Sequence, residues 1–258
     1  MRLALKFAYN GKNFHGYARQ PKLRTVEGEI IDKLIDKDYI SSPQDANFKS
    51  ASRTDKGVSA LANVIVFETK NYNKNILDDL SSEFSDILFY NVSEVQPEFN
   101  PRYAKNRCYR YYLPNENIDF DQLTSTASLF TGEHDFSNFA RIEEDKNPVR
   151  SLENIVLTMK NNYLIIDFFA QNFLWHQIRR IISAIEKVKQ GKFNKDQIKN
   201  AIDNPNKKVD FGLSSPEPLV LYDIIYNFDF IVDDKWKIRK DEFETSIFKS
   251  IEEFYSKK

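Results

Sequence analysis

The sequence SRTDKGVSALANVIVFE, residues 52–68, begins as a polar turn and continues as a strongly apolar stretch. Its β-branched and aromatic residues predict a strand over residues 62–68. The Asp-Lys-Gly segment before it is common in turns, because glycine adopts a positive φ without steric cost. Loops on rigid scaffolds also carry reactive groups. The stretch therefore predicts a turn leading into a core strand, and both a structural and a catalytic use of the turn remain open.

Asp55 is the candidate reactive group of this turn. Arg53 and Lys56 flank it, and nearby positive charges favour the ionised form of a carboxyl group. A carboxylate can act as a nucleophile or a general base, whereas a general acid must hold a proton. We therefore expect Asp55 to serve as a nucleophile or base if the turn is catalytic.

The segment before residue 95 has the pattern of a β-α-β-α-β unit. Apolar and polar residues alternate over residues 3–9, and residues 86–93 are also strand-like. Helices are predicted over residues 25–37 and 74–83. In the first of these helices Thr25 is the expected N-cap, and the apolar stripe consists of Ile30, Ile31, Leu34 and Ile35. This order is compatible with a ferredoxin-like unit.

The rest of the chain repeats the theme of strands and crossing helices. Strands are predicted over residues 105–113, 154–160, 163–170 and 219–230. Helices are predicted over residues 119–131, 173–189, 195–203 and 240–256, with Gly191 ending the longest apolar pattern. No Gly/Ser-rich linker separates the two parts. We therefore predict an α/β (α+β) protein whose two halves, residues 1–98 and 99–258, share one mostly antiparallel sheet.

Composition excludes several classes of protein. The single cysteine, Cys108, rules out an internal disulfide and a multi-cysteine zinc site. The seven glycines form neither a G-x-G-x-x-G motif nor a Walker A loop. No apolar run reaches the ~18–20 residues of a membrane span, and the N-terminus lacks the pattern of a signal peptide.

Charge is balanced over the chain, with a net charge of −1, but it is segregated along the sequence. Residues 1–26 carry six Lys or Arg and no acid, and residues 76–98 carry six acids and no base. Residues 101–113 and 174–192 are also basic. Basic surfaces attract phosphates, so these segments predict either a nucleic-acid-binding face or simply solvated surfaces.

Six blocks of sequence, in order, resemble the tRNA pseudouridine synthase A family. The turn resembles the family's Gly-Arg-Thr-Asp-x-Gly-Val-His-Ala signature. The other blocks are Tyr9-Asn10-Gly11 with Phe14-His15-Gly16-Tyr17, Thr25-Val26-Glu27-Gly28-Glu29, Phe99 with Arg102-Tyr103-Ala104 and Arg107-Cys108-Tyr109-Arg110-Tyr111, Gly132-Glu133-His134-Asp135-Phe136, and Asn172-Phe173-Leu174-Trp175-His176-Gln177-Ile178-Arg179. Together they extend over most of the chain, so the resemblance does not depend on one short motif.

The resemblance implies roles for five residues. Asp55 would be the catalytic aspartate that attacks a uridine at ribose C1′ or base C6. Arg53 would fill the space left by the flipped nucleotide or bind its phosphate. Tyr109 would stack on the uracil and take part in removing the C5 proton, Arg179 would pair with Asp55, and Leu219 would line the pocket.

The resemblance also implies a fold, a substrate and partners. The fold would be that of the pseudouridine synthases, with a basic active-site cleft between two ferredoxin-like halves. The substrate would be the anticodon stem-loop of tRNA at positions 38, 39 and 40. By the same resemblance, the protein would be a cytoplasmic homodimer that needs no metal or other cofactor.

Four departures from the family pattern lie close to the predicted site. Ser52 replaces the usual glycine, Ser59 replaces histidine, Tyr17-Ala18-Arg19-Gln20 replaces Trp-Gln-x-Gln, and Pro218 replaces glycine before Leu219. Three alternatives to the predicted activity remain open at this point. They are a synthase acting on other tRNA or RNA uridines, a non-catalytic RNA-binding protein, and a metal-dependent nuclease using Asp55.

Overall fold

A computed structural model describes residues 1–116 and 118–258. Its elements in chain order are β1 (Arg2–Tyr9), α1 (Val26–Asp36), β2 (Lys49–Ser50), β3 (Ser59–Glu68), α2 (Ile76–Ser81), β4 (Ile87–Glu94), β5 (Asn106–Pro114), α3 (Phe120–Ala127), β6 (Gly132–Asp135), β7 (Val149–Leu152), β8 (Asn154–Lys160), β9 (Tyr163–Ala170), α4 (Gln177–Lys189), α5 (Lys195–Asp203), β10 (Leu219–Ile225) and α6 (Asp234–Tyr255). Short 3-10 helices span Gly11–Asn13 and Ser128–Phe130. This mixture of helices and mostly antiparallel strands confirms the predicted α+β class.

The chain groups into two compact units. The first contains Met1–Lys105 together with Val220–Lys258, and the second contains Asn106–Leu219. The last strand and the last helix of the sequence thus belong with its beginning. The division of the sequence into domains at residue 98 stays a prediction.

In the first unit the strand order is β4-β1-β3-β10, and β2 pairs with β3. β1 is antiparallel to both β3 and β4, whereas β10 runs parallel to β3, with Val220 opposite Ser59. Side chains on both faces of β1 and β3 are buried, so the alternating pattern of residues 3–9 does not leave one face in water. This double burial makes β3 a rigid support for the turn that precedes it.

In the second unit β5, β9 and β8 form an antiparallel sheet. β8 and β9 form a hairpin, and Asn161 turns the chain between them with a φ of 52°. In the register of β5 and β9, Tyr109 lies opposite Phe168 and Arg110 lies opposite Asp167. β6 and β7 form a small second sheet, which the sequence pattern missed because the two strands are short and largely polar.

Four sequence predictions need correction. α4 begins at Gln177 and not at residue 173, because His176 has a left-handed backbone with φ 63°. α6 begins at Asp234, six residues early, since the Asp233 side chain accepts a hydrogen bond from the Trp236 N–H and caps it. β10 ends at Ile225, and the aromatic residues after it pack around Phe99 instead of extending the strand. Ile35 is exposed, outside the buried stripe of α1.

Candidate active site

Asp55 begins a tight turn at the start of β3. The Val58 N–H donates to the Asp55 carbonyl oxygen at 3.1 Å, which closes the turn. Gly57 has a φ of 86°, as the third residue of a type II turn requires. The half-buried Asp55 is therefore fixed to a core strand through three residues of constrained backbone.

The residue before Asp55 is anchored on two sides. The Thr54 carbonyl oxygen accepts a hydrogen bond from the Tyr17 N–H at 3.1 Å. The Thr54 Oγ1 lies 2.8 Å from the hydroxyl of Tyr9, at the end of β1. Both partners belong to the first sequence block that resembles the family.

Two glycines of the same block bring its backbone against the turn. A Cβ on Gly11 would lie 2.2 Å from the Val58 carbonyl oxygen, so only glycine fits there. Gly16, with a φ of 99°, approaches the backbone of residues 54–56. The Gly11 N–H also donates to the Ser59 Oγ at 3.0 Å, and this bond is buried. Ser59 thus has a structural partner although it departs from the family's histidine.

A buried chain of hydrogen bonds lies beside the turn. The Tyr17 hydroxyl donates to the Ser50 Oγ at 2.8 Å, and the Ser50 hydroxyl donates to Glu27 Oε1 at 3.0 Å. Burial of the phenol, followed by the negative charge of Glu27, raises the pKa of Tyr17 well above its usual value. On the β3 side, the Asn63 side chain donates to the Ser52 carbonyl oxygen at 3.0 Å. The turn is held from both ends.

Arg53 has an exposed side chain. In the described part of the chain, no carboxylate forms a salt bridge with Arg53 or with the equally exposed Lys56. Two cations thus remain available to an anionic ligand next to Asp55.

Tyr109, Arg179 and Leu219 belong to the second unit. Tyr109 lies in β5 and is buried, and its ring makes an edge-to-face contact with Phe173 at 5.2 Å between centroids. Arg179 lies in the first turn of α4, where its Nε donates to the Ser214 carbonyl oxygen at 2.8 Å. The buried Leu219 opens β10, and its N–H donates to the Pro216 carbonyl oxygen at 3.0 Å.

Pro218 has a defined place in the same turn. It is buried, and its carbonyl oxygen accepts a hydrogen bond from the Tyr112 N–H at 3.2 Å. The bond attaches the segment before Leu219 to β5, the strand that carries Tyr109. The proline ring therefore stiffens a segment that is already anchored.

The basic segment 1–26 is less available to a polyanion than its composition suggests. Arg24 forms a bidentate pair with Asp86, at 2.7 and 3.2 Å. Further salt bridges join Arg2 to Glu68, Lys6 to Asp223, Lys12 to Glu253 and Arg19 to Glu27. Folding thus brings acids to most of these cations, and one of those acids, Asp86, comes from the acidic segment 76–98.

Within residues 1–116 and 118–258, no three His, Cys, Asp or Glu side chains are grouped so that they could hold a metal ion. In the same residues, no helix has both the length and the apolar character needed to cross a membrane.

Sequence reasoning assigned no role to Tyr9, Gly11 or Thr54, which position the turn. The signal available was their place in blocks that match the family. Physical reasoning from one sequence could not connect them, because Tyr9 and Thr54 are 45 residues apart and meet only through the pairing of β1 with β3.

Known proteins similar to this chain are tRNA pseudouridine synthases. A family model described as tRNA pseudouridine synthase matches residues 126–227. The tRNA pseudouridine synthase A of Thermococcus sibiricus is 43% identical over 229 residues, 88% of this chain and 85% of the relative. The Thermococcus kodakarensis protein of the same name is 40% identical over 250 residues, 95% of this chain and 93% of the relative. That of Methanothermobacter thermautotrophicus is 35% identical over 257 residues, 98% of this chain and 90% of the relative.

Proposed function

This chain belongs to the tRNA pseudouridine synthase A family and is an isomerase of tRNA uridines, and we propose that Asp55 is its nucleophile. The proposed target is the anticodon stem-loop, at positions 38, 39 and 40, and the reaction uses no cofactor. The Asp55 carboxylate attacks ribose C1′ or base C6, and the N1–C1′ bond breaks. The uracil turns, a C5–C1′ bond forms, and the bond to Asp55 breaks and frees the carboxylate. C5 loses its proton and N1 gains one, so that uridine and product have the same atoms.

The observation that carries this proposal is the support of Asp55. Its turn is closed by a hydrogen bond and anchored through Thr54 to Tyr17 and Tyr9. A nucleophile attacks efficiently when it is held close to its target in a fixed orientation. Such a support is more than a surface turn needs, and it favours the catalytic use of the stretch over the purely structural one.

Arg53 and Lys56 suit a polyanionic substrate. Both are exposed beside Asp55, and within the described residues neither forms a salt bridge. A uridine stacked in RNA must leave its stack to reach a carboxylate on a protein. Arg53 is proposed to occupy the vacated space or to bind the phosphate of the flipped nucleotide.

Tyr109, Arg179 and Leu219 are proposed to complete the site. Tyr109 stacks on the uracil, and stacking on an aromatic ring is worth about 1–3 kcal/mol per base. Arg179 pairs with Asp55 and orients it, and Leu219 lines the pocket and helps keep water from the detached base. The edge-to-face contact with Phe173 and the bond from Arg179 to Ser214 support these roles, because they hold each side chain in one orientation.

Tritium release tests the proposed nucleophile. Purified protein is incubated without added metal with an unmodified tRNA tritiated at uracil C5. We expect release by the wild type and none by Asp55→Ala or Asp55→Asn, and sequencing of the product should place pseudouridine at positions 38, 39 or 40. Asp32→Asn, an exposed carboxylate change on α1, is the matched control and should leave the rate unchanged.

Three outcomes would contradict parts of the proposal. Release by Asp55→Asn at the wild-type rate would remove Asp55 as nucleophile. Activity that disappears after chelation and returns with a metal would remove the cofactor-free reaction. Pseudouridine only outside the anticodon stem-loop would favour the alternative target, and the departures at Ser52, Ser59 and Pro218 would then be the first residues to revert.

Two further properties follow from the family and are proposed here. The protein acts as a homodimer in the cytoplasm, with tRNA as its partner. Light scattering on the purified protein, with and without tRNA, tests the dimer, because a monomeric mass in an active sample would contradict it. Fractionation of cells with an antibody to this chain tests its location.

A further inference from the structure

Trp175 and Arg141 form an exposed stacked pair in the second unit. The Arg141 guanidinium carbon lies 4.1 Å from the centroid of the Trp175 ring. Trp175 keeps 41% of its surface in contact with solvent, and Arg141 is exposed. Tryptophan is highly buried on average, so this exposure next to a cation requires an explanation.

The backbone fixes both members of the pair. The Arg141 N–H donates to the Trp175 carbonyl oxygen at 2.8 Å, and the two residues form an antiparallel bridge. The residues after Trp175 are equally constrained, because the Gln177 N–H donates to Leu174 O and the Gln177 side chain accepts from the Leu174 N–H at 2.8 Å. Trp175 therefore presents its ring on a rigid base.

The charge of Arg141 is not neutralised. Three acids, Glu143, Glu144 and Asp145, follow it in sequence, yet no salt bridge to Arg141 occurs among residues 1–116 and 118–258. The first turn of α4, next to Trp175, contains no acid, and of its two arginines Arg180 is paired with Asp210 at 3.1 Å. The exposed ring of Trp175 and the positive charge of Arg141 therefore lie side by side on the surface of the second unit.

The other tryptophan of the chain shows the contrast. Trp236 is 5% exposed, and its two neighbouring cations, Lys235 and Arg239, both bind Asp78. There the cations cover a core side chain and are themselves neutralised. At Trp175 the same type of contact is open to solvent, and no carboxylate neutralises the Arg141 guanidinium among the described residues.

We propose that Trp175 and Arg141 form a stacking site for an unpaired nucleobase of the RNA substrate, separate from the uracil that reacts. Proteins bind unstacked RNA bases on aromatic rings and on guanidinium planes, and the stacked pair offers both surfaces. The proposal rests on the proposed function, because the base belongs to the same tRNA. Trp175 lies in the Asn172–Arg179 block, and no step of the proposed reaction uses it. The stacking site gives this residue a role.

Fluorescence measures the contact directly, because Trp175 and Trp236 are the only tryptophans. In Trp236→Phe, emission comes from Trp175 alone, and stacking of a base should quench it and block its access to acrylamide. Unmodified tRNA that carries a dye is then added. The emission of Trp175 and the anisotropy of the dye are recorded in the same titration. If Trp236→Phe does not fold, the difference between wild type and Trp175→Phe gives the same signal.

Affinity provides the second measurement. We expect Trp175→Leu to bind tRNA about 5- to 150-fold more weakly, Trp175→Phe to lose less than about fivefold because it keeps a ring, and Arg141→Met to fall between them. Arg239→Met, which removes the matched contact at Trp236, should leave tRNA affinity unchanged. Tritium release at saturating tRNA should persist in Trp175→Leu, in contrast to Asp55→Ala.

The outcomes separate this inference from the proposed function. If tRNA binds with full anisotropy change while Trp175 emission and acrylamide access stay constant, the stacking site does not exist, although the enzyme does. A lower melting temperature of Trp175→Leu with unchanged tRNA affinity would make the pair a packing feature only. Failure of the wild type to bind any tRNA would overturn both the inference and the function.

Discussion

Gly11 and Val58 are in direct backbone contact: a Cβ built on Gly11 would lie 2.2 Å from the Val58 carbonyl oxygen. The two residues are 47 positions apart, and each belongs to a different block that resembles the family. The contact presses the 3-10 helix at Gly11–Asn13 against the turn that carries Asp55. Four consequences of this support, and one of a charge pair in the second unit, can be tested.

Gly11→Ala should lower both stability and activity. The added methyl group meets backbone atoms, which cannot rotate away, so the turn must move at a cost of about 1–3 kcal/mol. Gly191→Ala is the control, because its Cβ would meet nothing within 4 Å and only the φ of 68° opposes it, at about 1–2 kcal/mol. Thermal unfolding should show a loss for both variants, and tritium release should fall only for Gly11→Ala. Equal release by both would show that the position of the turn does not matter for catalysis.

Ser59→Ala should destabilise the protein by about 1–3 kcal/mol, because the buried Gly11 N–H loses its acceptor. Ser41→Ala, at an exposed serine, should stay within about 0.5 kcal/mol of the wild type. Urea unfolding of the two variants checks this. A neutral effect of Ser59→Ala would mean that another acceptor, such as water, replaces the hydroxyl.

Tyr9→Phe and Thr54→Val should not be additive. Either substitution alone breaks the 2.8 Å hydrogen bond between the two hydroxyl groups. The second substitution therefore lowers the free energy of unfolding by less than it does in the wild type. The coupling energy from a double-mutant cycle should be about 1 kcal/mol. Unfolding free energies of the two single variants and the double variant provide the cycle. Simple additivity would show that the bond contributes nothing to the support of Asp55.

Stability should fall at alkaline pH because of Tyr17. Burial, followed by the charge of Glu27, raises its pKa well above the usual value of 10.0, so the native state keeps a proton that the unfolded state releases. Its contribution is complete below about pH 10 and is lost as the pH rises from there towards the native pKa. In Tyr17→Phe the free energy of unfolding should decline less steeply between about pH 10 and 11. The same slope in both proteins would contradict the prediction, whatever their stabilities at neutral pH.

Arg110 and Asp167 should contribute measurably to the second unit. They face each other across β5 and β9, with bonds of 2.7 and 2.9 Å, and both are largely buried. Arg110→Met leaves the Asp167 carboxylate without this partner and should cost about 2 kcal/mol, less than the 3–5 kcal/mol of a fully buried pair. Arg110→Lys keeps the charge but not the paired geometry and should cost less. The free energy of unfolding measured in urea should be highest for the wild type, lower for Arg110→Lys and lowest for Arg110→Met. A different order would contradict the prediction.

Sequence patterns predicted most elements because local burial periodicity is encoded in neighbouring residues. The strands at residues 3–9 and 163–170 and the helix at 195–203 appear within a residue of their expected bounds. Errors arose where one residue changed the backbone, as the left-handed His176 did at the start of α4. Errors also arose after Ile225, where aromatic side chains pack around Phe99 and the backbone does not continue to pair as a strand.

For the site, the sequence alone determined the residue types and their order: an aspartate between two cations in a turn before an apolar strand, and the motifs that resemble one enzyme family. The tertiary structure alone decided what supports that aspartate. Tyr9, Gly11 and Tyr17 reach the turn only after β1 and β3 pair, and Arg141 reaches Trp175 across 34 residues of chain. The physical reason is that these contacts join segments distant in sequence, and no local pattern of hydrophobicity or charge specifies which distant segments meet.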